Sequence, residues 1–500
     1  MSTDAHRRAS RTAGVLVLGK VLATLAEMVL PLLIVRLLGK ADVGALMALM
    51  LIYNTLAPIV STGVPQAVMY NLPGRSPAER AAVTRHIVRL MIGLGGVAAV
   101  ILAALGLWGT QAVEAFSPES GVTDLSPLLV LALFPLGDVP ARMLTNLLVI
   151  EERPRGAAGY GLLRSLGMSV CTLVPIAMGG DAWSVATWLA VFGLAQLALV
   201  FGYVNRIYAG VARQPSPVDY GTLIRFGLPL GMTSMVAVLN KFFDRFAILL
   251  YFGGTQYPEY EMGAWQIPII TTIPYMIGTA IAPQMVEAFQ AERPREALSL
   301  WRASIDKTSL LVVPFALVFV VAAEEAVELL FTADYLAAAP VLRWYSILSL
   351  GRVASYGEVI VAAGRPKYVL QAAVLSFASN VVLSVPLLFW LGFIGPAMGT
   401  ALAFIPCAIF YCWCIARASG LRITETFPLL SYLRILAVGL TGVALAVGFK
   451  LSFDGSAAMM MATEAAILLV TFAVVGTLTR TIGTEDWRYL RNWLRLRLGG

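Results

Sequence analysis

Long apolar segments recur throughout the chain, and they restrict its fold more than any other feature. Each is about 20 residues or longer, the length that an α-helix needs to cross ~30 Å of hydrocarbon. The segments are continuous rather than alternating, which excludes a β-barrel. Charged residues make up 13% of the 500 residues, too few for the surface of a soluble protein of this length. The sequence therefore predicts an all-α, polytopic membrane protein.

About 14 transmembrane helices are expected, and the loop charges predict their orientation. The predicted spans are 14–37, 43–70, 86–108, 125–150, 157–178, 182–208, 221–252, 260–288, 305–323, 334–362, 367–391, 394–416, 430–450 and 456–479. Nearly all lysines and arginines of the loops fall on one side, and the exceptions are Lys40 and Lys450. The positive-inside rule makes the arginine-rich side cytoplasmic. We therefore expect a multi-pass protein of the cell (inner) membrane with both termini in the cytoplasm.

An internal repeat predicts how these helices are organised. Leu136-Gly137 corresponds to Leu350-Gly351, and Arg153-Pro154 corresponds to Arg365-Pro366, at an offset of about 214 positions. Helices 1–6 and 7–12 are therefore predicted to form two pseudo-symmetric six-helix lobes with the same topology. The predicted divisions are an N-lobe (1–212), a C-lobe (213–420), two extra helices (421–484) and a cytoplasmic amphipathic tail (485–500). Two such lobes fit alternating access better than a pore.

Ionisable side chains within the predicted membrane helices are few, and such groups normally face protein or water. They are Lys20 and Glu27 in helix 1, Asp138 and Arg142 in helix 4, Lys241, Asp244 and Arg245 in helix 7, and Arg343, Arg352 and Glu358 in helix 10. The repeat offset places Glu27 at the position of Lys241, and Asp138 at the position of Arg352. These pairs of opposite charge are expected to face each other across a central cleft. Arg164 is expected to snorkel towards the inner side.

Two interpretations of these charges remain open at this stage. They form interhelical salt bridges, or they line an aqueous cavity that accepts anions; the excess of cations in helix 7 favours the cavity. Asn54 and Gln66 in helix 2 and Gln266 in helix 8 lie near prolines that bend these helices. They are expected to line the cavity, with helix–helix hydrogen bonding as the alternative. The segment 226–231 predicts a hinge at the start of helix 7.

Several longer motifs carry a resemblance to a known family. They are Val35-Arg-Leu-Leu-Gly-Lys-Ala-Asp-Val-Gly44, Phe226-Gly-Leu-Pro229, Phe243-Asp-Arg245, Gly364-Arg-Pro-Lys367, and Asn380 followed by Gly392-Phe-Ile-Gly-Pro-Ala-Met-Gly-Thr400. With these motifs the chain resembles the oligosaccharide flippases of the polysaccharide-biosynthesis family. Their multidrug/oligosaccharidyl-lipid/polysaccharide exporter superfamily also holds the lipid II flippases.

The resemblance implies export of an undecaprenyl-diphosphate-linked oligosaccharide from the inner to the outer leaflet. It also implies a cationic cavity lined mainly by helices 1, 2, 7 and 8. Lys20, Lys241 and Arg245 would then meet the pyrophosphate or acidic sugars. Glu27 and Asp244 would hold those cations or take a coupling proton.

No catalytic residue, metal site or cofactor is expected, because the two histidines and four cysteines form no recognisable pattern. Coupling to an ion or to the membrane potential is left open. Expected partners are membrane lipids, the lipid-linked oligosaccharide, and polymerases or glycosyltransferases that make or use it; nucleic acid is not expected. The alternatives are a cation-coupled drug exporter, which would need an acidic cavity, and a membrane glycan polymerase or ligase. An enzyme is disfavoured because the longest predicted outer loop has only about 16 residues.

Overall fold

The computed structural model describes residues 19, 22–23, 26, 28–61, 63–116 and 124–488. Every regular element among them is a helix, as predicted. The chain divides into two compact units, one ending at Pro258 and the other beginning at Glu259, and we call them the N-unit and the C-unit.

The N-unit contains helices α1 to α8 and most of α9. Their bounds are Met28–Leu37 (α1), Lys40–Ser61 (α2), Val64–Asn71 (α3), Pro77–Phe116 (α4), Leu128–Leu131 (α5), Pro135–Ile150 (α6), Pro154–Ala177 (α7), Ala182–Ile207 (α8) and Tyr220–Gly263 (α9). Asp181 caps α8 by accepting a hydrogen bond from the Ser184 N–H at 3.0 Å. This bond lowers the pKa of the Asp181 carboxyl.

The C-unit contains the remaining helices. Their bounds are Pro268–Gln290 (α10), Pro294–Val321 (α11), Ala323–Phe331 (α12), Ala339–Gly351 (α13), Tyr356–Ala362 (α14), Lys367–Leu391 (α15), Gly395–Ser419 (α16), Leu429–Lys450 (α17) and Ala457–Leu478 (α18). Trp301 of α11 is fully buried, and its ring packs edge-on against Tyr356 of α14. The extra pair α17 and α18 packs against α11 and against each other.

Three predicted membrane spans are interrupted in the structure. Span 43–70 breaks at Gly63, which has a positive φ of 70°, and Pro65 is the second residue of α3. Span 125–150 breaks before Pro135, the first residue of α6, and span 334–362 breaks between α13 and α14. Proline lacks an N–H and therefore begins a helix more readily than it continues one. Among the described residues, eight helical segments are long and apolar enough to cross a bilayer, or nine with α9 counted; Lys40–Asn71, which includes the break at Gly63, is one of the eight.

Helix α9 contains the bend that the sequence suggests. Its parts Tyr220–Pro229 and Gly231–Gly263 differ in direction by 49°, and Pro229 explains the bend by removing a backbone hydrogen bond. Most of α9 belongs to the N-unit, whereas the sequence repeat begins the C-lobe at residue 213. The division by repeat therefore stays a prediction.

Glycines fix the position of α6 in the N-unit. A Cβ on Gly137 of α6 would lie 1.7 Å from the carbonyl oxygen of Gly193 in α8. A Cβ on Gly95 of α4 would lie 2.6 Å from the carbonyl oxygen of Pro135. Such close approaches are possible only without a side chain. Helix α6 is thus held between α4 and α8, and Asp138 follows directly after the tightest contact.

Candidate functional site

A buried carboxylate with two arginines forms the centre of the N-unit. Asp138 of α6 is fully buried, and its Oδ2 accepts hydrogen bonds from Arg142 Nε at 3.2 Å and Nη2 at 3.1 Å. Arg164 of α7 donates from Nε to Oδ1 at 2.8 Å and from Nη2 to Oδ2 at 3.1 Å. The hydroxyl of Tyr53 in α2 also donates to Oδ2. We call these four residues the Asp138 cluster.

The Asp138 cluster has one positive charge in excess. Asp138 neutralises one arginine, and the side chains of Arg142 and Arg164 remain 21% and 28% exposed. Each guanidinium presents its Nε–Nη2 edge to the carboxylate. No other residue in the described part of the chain accepts a hydrogen bond from either Nη1. The cluster therefore has unused donors on its exposed side.

The Asp138 cluster lies about half a membrane thickness from the connection between α6 and α7. Asp138 precedes the end of α6 by twelve residues, about 18 Å along the axis, and Arg164 is ten residues, about 15 Å, from the start of α7. Both distances start from the same connection between α6 and α7, and the hydrocarbon is ~30 Å thick. Ionisable groups at this depth are costly to insert, and they mark functional sites by default.

The structure corrects the interpretation of Arg164. The sequence suggested that this side chain snorkels to the membrane surface, but it forms a bidentate ion pair with Asp138. Tyr53 was not considered. The sequence could have indicated the Arg164–Asp138 pair, because no carboxylate lies within one turn of Arg164 on its own helix. An arginine in that position needs a partner on another helix. Asp138 also forms an ion pair with Arg142, one turn later on the same helix.

Lys241, Asp244 and Arg245 lie on one turn of α9 in different environments. Asp244 and Arg245 are buried, whereas Lys241 is exposed. Arg245 Nη1 lies 3.6 Å from Asp244 Oδ1 and donates to the Lys241 carbonyl oxygen at 2.6 Å. The Lys241 ammonium lies 4.9 Å from the centre of the Phe242 ring. Lys241 is thus presented outwards, and Arg245 is fixed against its own helix.

The polar residues predicted to line a cavity have various degrees of exposure. Asn54 of α2 and Gln66 of α3 are exposed, and Gln266, just before α10, is half-buried. Arg352 follows directly after α13, and Glu358 lies in α14. Both are half-buried, and among the described residues they form no ion pair with each other. The predicted facing of Asp138 and Arg352 involves both units and stays a prediction. Lys20 and Glu27 lie outside the described residues, as does most of the predicted tail.

A second ionic cluster lies in the C-unit and was missed by the sequence analysis. Lys450 at the end of α17 contacts Glu324 at 2.8 Å and Glu325 at 2.7 Å, and Arg343 of α13 contacts Glu324 at 2.7 Å. Glu464 of α18 is only 1% exposed and lies 3.9 Å from Lys450. No described residue donates a hydrogen bond to the Glu464 carboxyl group. The sequence feature that could have indicated this cluster is Glu464, a lone acidic residue inside an apolar helix.

Family models match most of the chain. The model described as lipid II flippase MurJ matches residues 161–472, and the one described as polysaccharide biosynthesis protein matches residues 10–289. Each range is more than half of the chain. A curated relative, the probable low-salt glycan biosynthesis flippase Agl15 of Haloferax volcanii, is 24% identical over 198 residues. That alignment covers 38% of this chain and 41% of the relative, so less than half of the relative's length is matched.

Solved structures of low sequence identity share the fold. A lipid II flippase MurJ in an inward closed conformation superposes with a TM-score of 0.70 at 12% identity, covering 93% of this chain and 99% of that chain. An inward-facing multidrug resistance MATE family transporter of the MOP superfamily gives a TM-score of 0.62 at 14% identity, covering 81% and 96%. At such identities the likeness shows the fold alone, and it confirms the predicted fold class. The two family models, each matching more than half of the chain, show that it belongs to the families described as lipid II flippase MurJ and polysaccharide biosynthesis protein.

Proposed function

We propose that the protein moves a lipid-linked oligosaccharide, carried on undecaprenyl diphosphate, from the inner to the outer leaflet by alternating access. The observation that carries the proposal is the excess positive charge of the Asp138 cluster, about half a membrane thickness from the connection between α6 and α7, in a chain of this family. A diphosphate must cross this depth when its lipid changes leaflets. A fixed cation there offsets the lost hydration of the anion.

The geometry of the Asp138 cluster suits binding of a phosphoryl group. Arginine presents a planar fork of donors that matches phosphate oxygens. In this cluster the carboxylate orients both forks and leaves the Nη1 donors unused. Asp138 therefore acts as the positioning residue, and Arg142 and Arg164 provide the anion contacts.

Helix α9 contributes a second set of contacts in this proposal. Lys241 is exposed and meets the diphosphate or an acidic sugar, and the buried Asp244 and Arg245 fix its helical turn. Lys20 belongs to the same set on the family resemblance. Asn54, Gln66 and Gln266 offer hydrogen bonds to sugar hydroxyls, since each retains exposed surface.

The coupling machinery and cellular setting are part of the proposal. Glu27 and Asp244 hold the cations or carry a coupling proton, and Arg352 and Glu358 take part in the coupling as separate charges of the C-unit. The protein lies in the cell's inner membrane with both termini in the cytoplasm, and glycosyltransferases or a polymerase supply or consume its substrate.

A cation-coupled exporter of drugs is the alternative, because the MATE fold is shared. The excess of arginine at mid-membrane disfavours cationic drugs as substrates.

The experiment is a leaflet-exchange assay with purified protein in liposomes. A fluorescent undecaprenyl-diphosphate oligosaccharide is placed in both leaflets, and a membrane-impermeant quencher reports the accessible fraction. Lys241→Ala should lower apparent affinity for the substrate about 10- to 100-fold, because a charge-assisted hydrogen bond contributes about 1.5–3 kcal/mol. Lys367→Ala, at the exposed start of α15, is the matched control. If Lys241→Ala and wild type exchange the lipid equally, Lys241 is not part of the binding site. If the protein elongates the glycan instead, it is an enzyme.

A further inference from the structure

A cavity of about 600 Å³ opens at one end of the C-unit. The first turns of α11 form one wall, and the connection from α16 to α17 with the first turn of α17 forms the other. We call it the α11–α17 cavity. Both walls lie on the side of the arginine-rich loops, which the sequence predicts to be cytoplasmic.

One part of the α11–α17 cavity is basic. Arg295 and Arg302 line it, and Arg302 Nε donates to the Thr426 carbonyl oxygen at 3.1 Å. That bond orients the guanidinium and leaves its Nη groups for a ligand. Neither arginine forms an ion pair with an acidic side chain of the described residues. The acid in the wall, Glu425, accepts a hydrogen bond from the Arg422 N–H at 2.9 Å instead.

The other part of the α11–α17 cavity is apolar and faces outwards. Leu429, Leu430 and Leu433 line it from the first turn of α17, and they are 58%, 67% and 47% exposed. Helix α17 is long and apolar enough to cross the bilayer, so its first turn lies where headgroups meet hydrocarbon. An exposed leucine cluster at this level contacts acyl chains.

We propose that the α11–α17 cavity binds an anionic phospholipid. Its phosphate contacts Arg295 and Arg302, and its acyl chains lie along the leucines of α17. The basic and apolar residues line the same cavity, as a lipid headgroup and its chains require, and Arg supplies paired donors for phosphate oxygens. A phospholipid is chosen over the diphosphate lipid because phospholipid is in large excess in the membrane and occupies such a site by mass action.

The chain's own C-terminal segment is a poor candidate for the occupant. That segment carries Arg491, Arg495 and Arg497, so it would bring cations to a basic wall. A bound lipid would instead join α11 to α17 through its phosphate and chains. It would thereby connect the extra helix pair to the rest of the C-unit, and it should stabilise that unit against heat.

The test is native mass spectrometry of the full-length protein in nanodiscs of phosphatidylcholine with a minority of phosphatidylglycerol. When the wild-type protein is released from the nanodisc, it should retain phosphatidylglycerol in preference to phosphatidylcholine. Arg295→Gln should weaken this binding about fivefold, and the double variant with Arg302→Gln about 25-fold, the ratios expected for loss of one and two basic contacts. Arg293→Gln is the control, because Arg293 is exposed on the same helix end, pairs with Glu296 and lies outside the cavity.

Three outcomes would overturn the proposal. They are equal lipid preference in the double variant and wild type, loss of preference in Arg293→Gln alone, and displacement of phosphatidylglycerol by undecaprenyl diphosphate at stoichiometric amounts. Arg295→Gln alone preserves the Arg302–Thr426 bond, so its result is informative even when the double variant is unstable. Because binding is read by mass, the result does not depend on whether the protein exchanges lipids between leaflets.

Discussion

Replacing Asp138 with asparagine removes the charge at the centre of the N-unit and keeps its shape. In the native cluster the carboxylate accepts hydrogen bonds from two guanidinium groups and one hydroxyl. An asparagine side chain offers only one acceptor oxygen. Its NH₂ group, itself a donor, would face the guanidinium and hydroxyl donors of the cluster. Arg142 and Arg164 are then two like charges around a neutral group, and only their exposed edges reach water.

The expected loss of stability follows from this geometry. Breaking a buried ion pair by removing one partner costs about 3–5 kcal/mol, because the remaining charge is uncompensated. Both arginines are partly exposed, so water offsets some of this penalty and the lower end, about 3 kcal/mol, applies. Arg164→Gln should cost less, about 1–2 kcal/mol, because Asp138 keeps Arg142 and Tyr53 as partners.

Thermal unfolding in detergent measures this difference, with intrinsic fluorescence as the readout. Asp138→Asn should lower the melting temperature by several degrees, and Arg164→Gln by less. A suitable control is Asp181→Asn, since asparagine caps a helix about as well as aspartate. Unchanged stability of Asp138→Asn, or a larger loss in Arg164→Gln, would refute the assignment of Asp138 as the residue that holds the two arginines.

Two further predictions concern helix contacts and the ionic cluster of the C-unit. Gly137→Ala places a methyl group against the Gly193 carbonyl oxygen and should destabilise the protein by about 1–3 kcal/mol. Gly202→Ala, with open space around its Cβ, should be neutral or stabilising, and equal effects of the two would contradict the close contact. Glu464→Gln should be neutral or stabilising in a thermal melt, because that buried carboxyl has no hydrogen-bond donor among the described residues. Lys450→Met should destabilise by about 1–3 kcal/mol, since it removes the shared cation; a stabilised Lys450→Met would show that the cluster is misassigned.

Sequence patterns predict the fold class well because membrane insertion constrains composition directly. Continuous apolar segments and loop arginines identify helices and their order without any tertiary information. The interrupted spans are harder, since Gly63 and Pro135 act as breaks only when neighbouring helices satisfy the freed backbone groups. Sequence shows that these residues occur, but it does not show which of the many prolines in the chain end a helix and which are tolerated inside one.

The candidate site is predicted from the sequence only in part. Contacts within one helix are predictable, whereas contacts between helices are not. Asp138 and Arg142 are one helical turn apart, so their pairing follows from helix geometry alone. The pairing of Asp138 with Arg164 and Tyr53 depends on how three helices pack, and no periodicity encodes it. Exposure is equally hidden: Lys241 and Arg245 are one turn apart, yet only Lys241 is exposed.

The central claim, that a cationic site at mid-membrane moves a lipid-linked anion between leaflets, is tested most directly by the liposome exchange assay. The protein should equilibrate undecaprenyl-diphosphate oligosaccharide between leaflets, and neutralising both arginines with Arg142→Gln and Arg164→Gln should slow it strongly. A companion variant that also carries Asp138→Asn removes the carboxylate left unpaired, so folding and transport can be separated. The account predicts exchange by wild type and its loss in this folded triple variant. Wild-type liposomes in which the quencher reaches no more labelled lipid than in protein-free liposomes, or a triple variant that exchanges the lipid at the wild-type rate, would contradict the account.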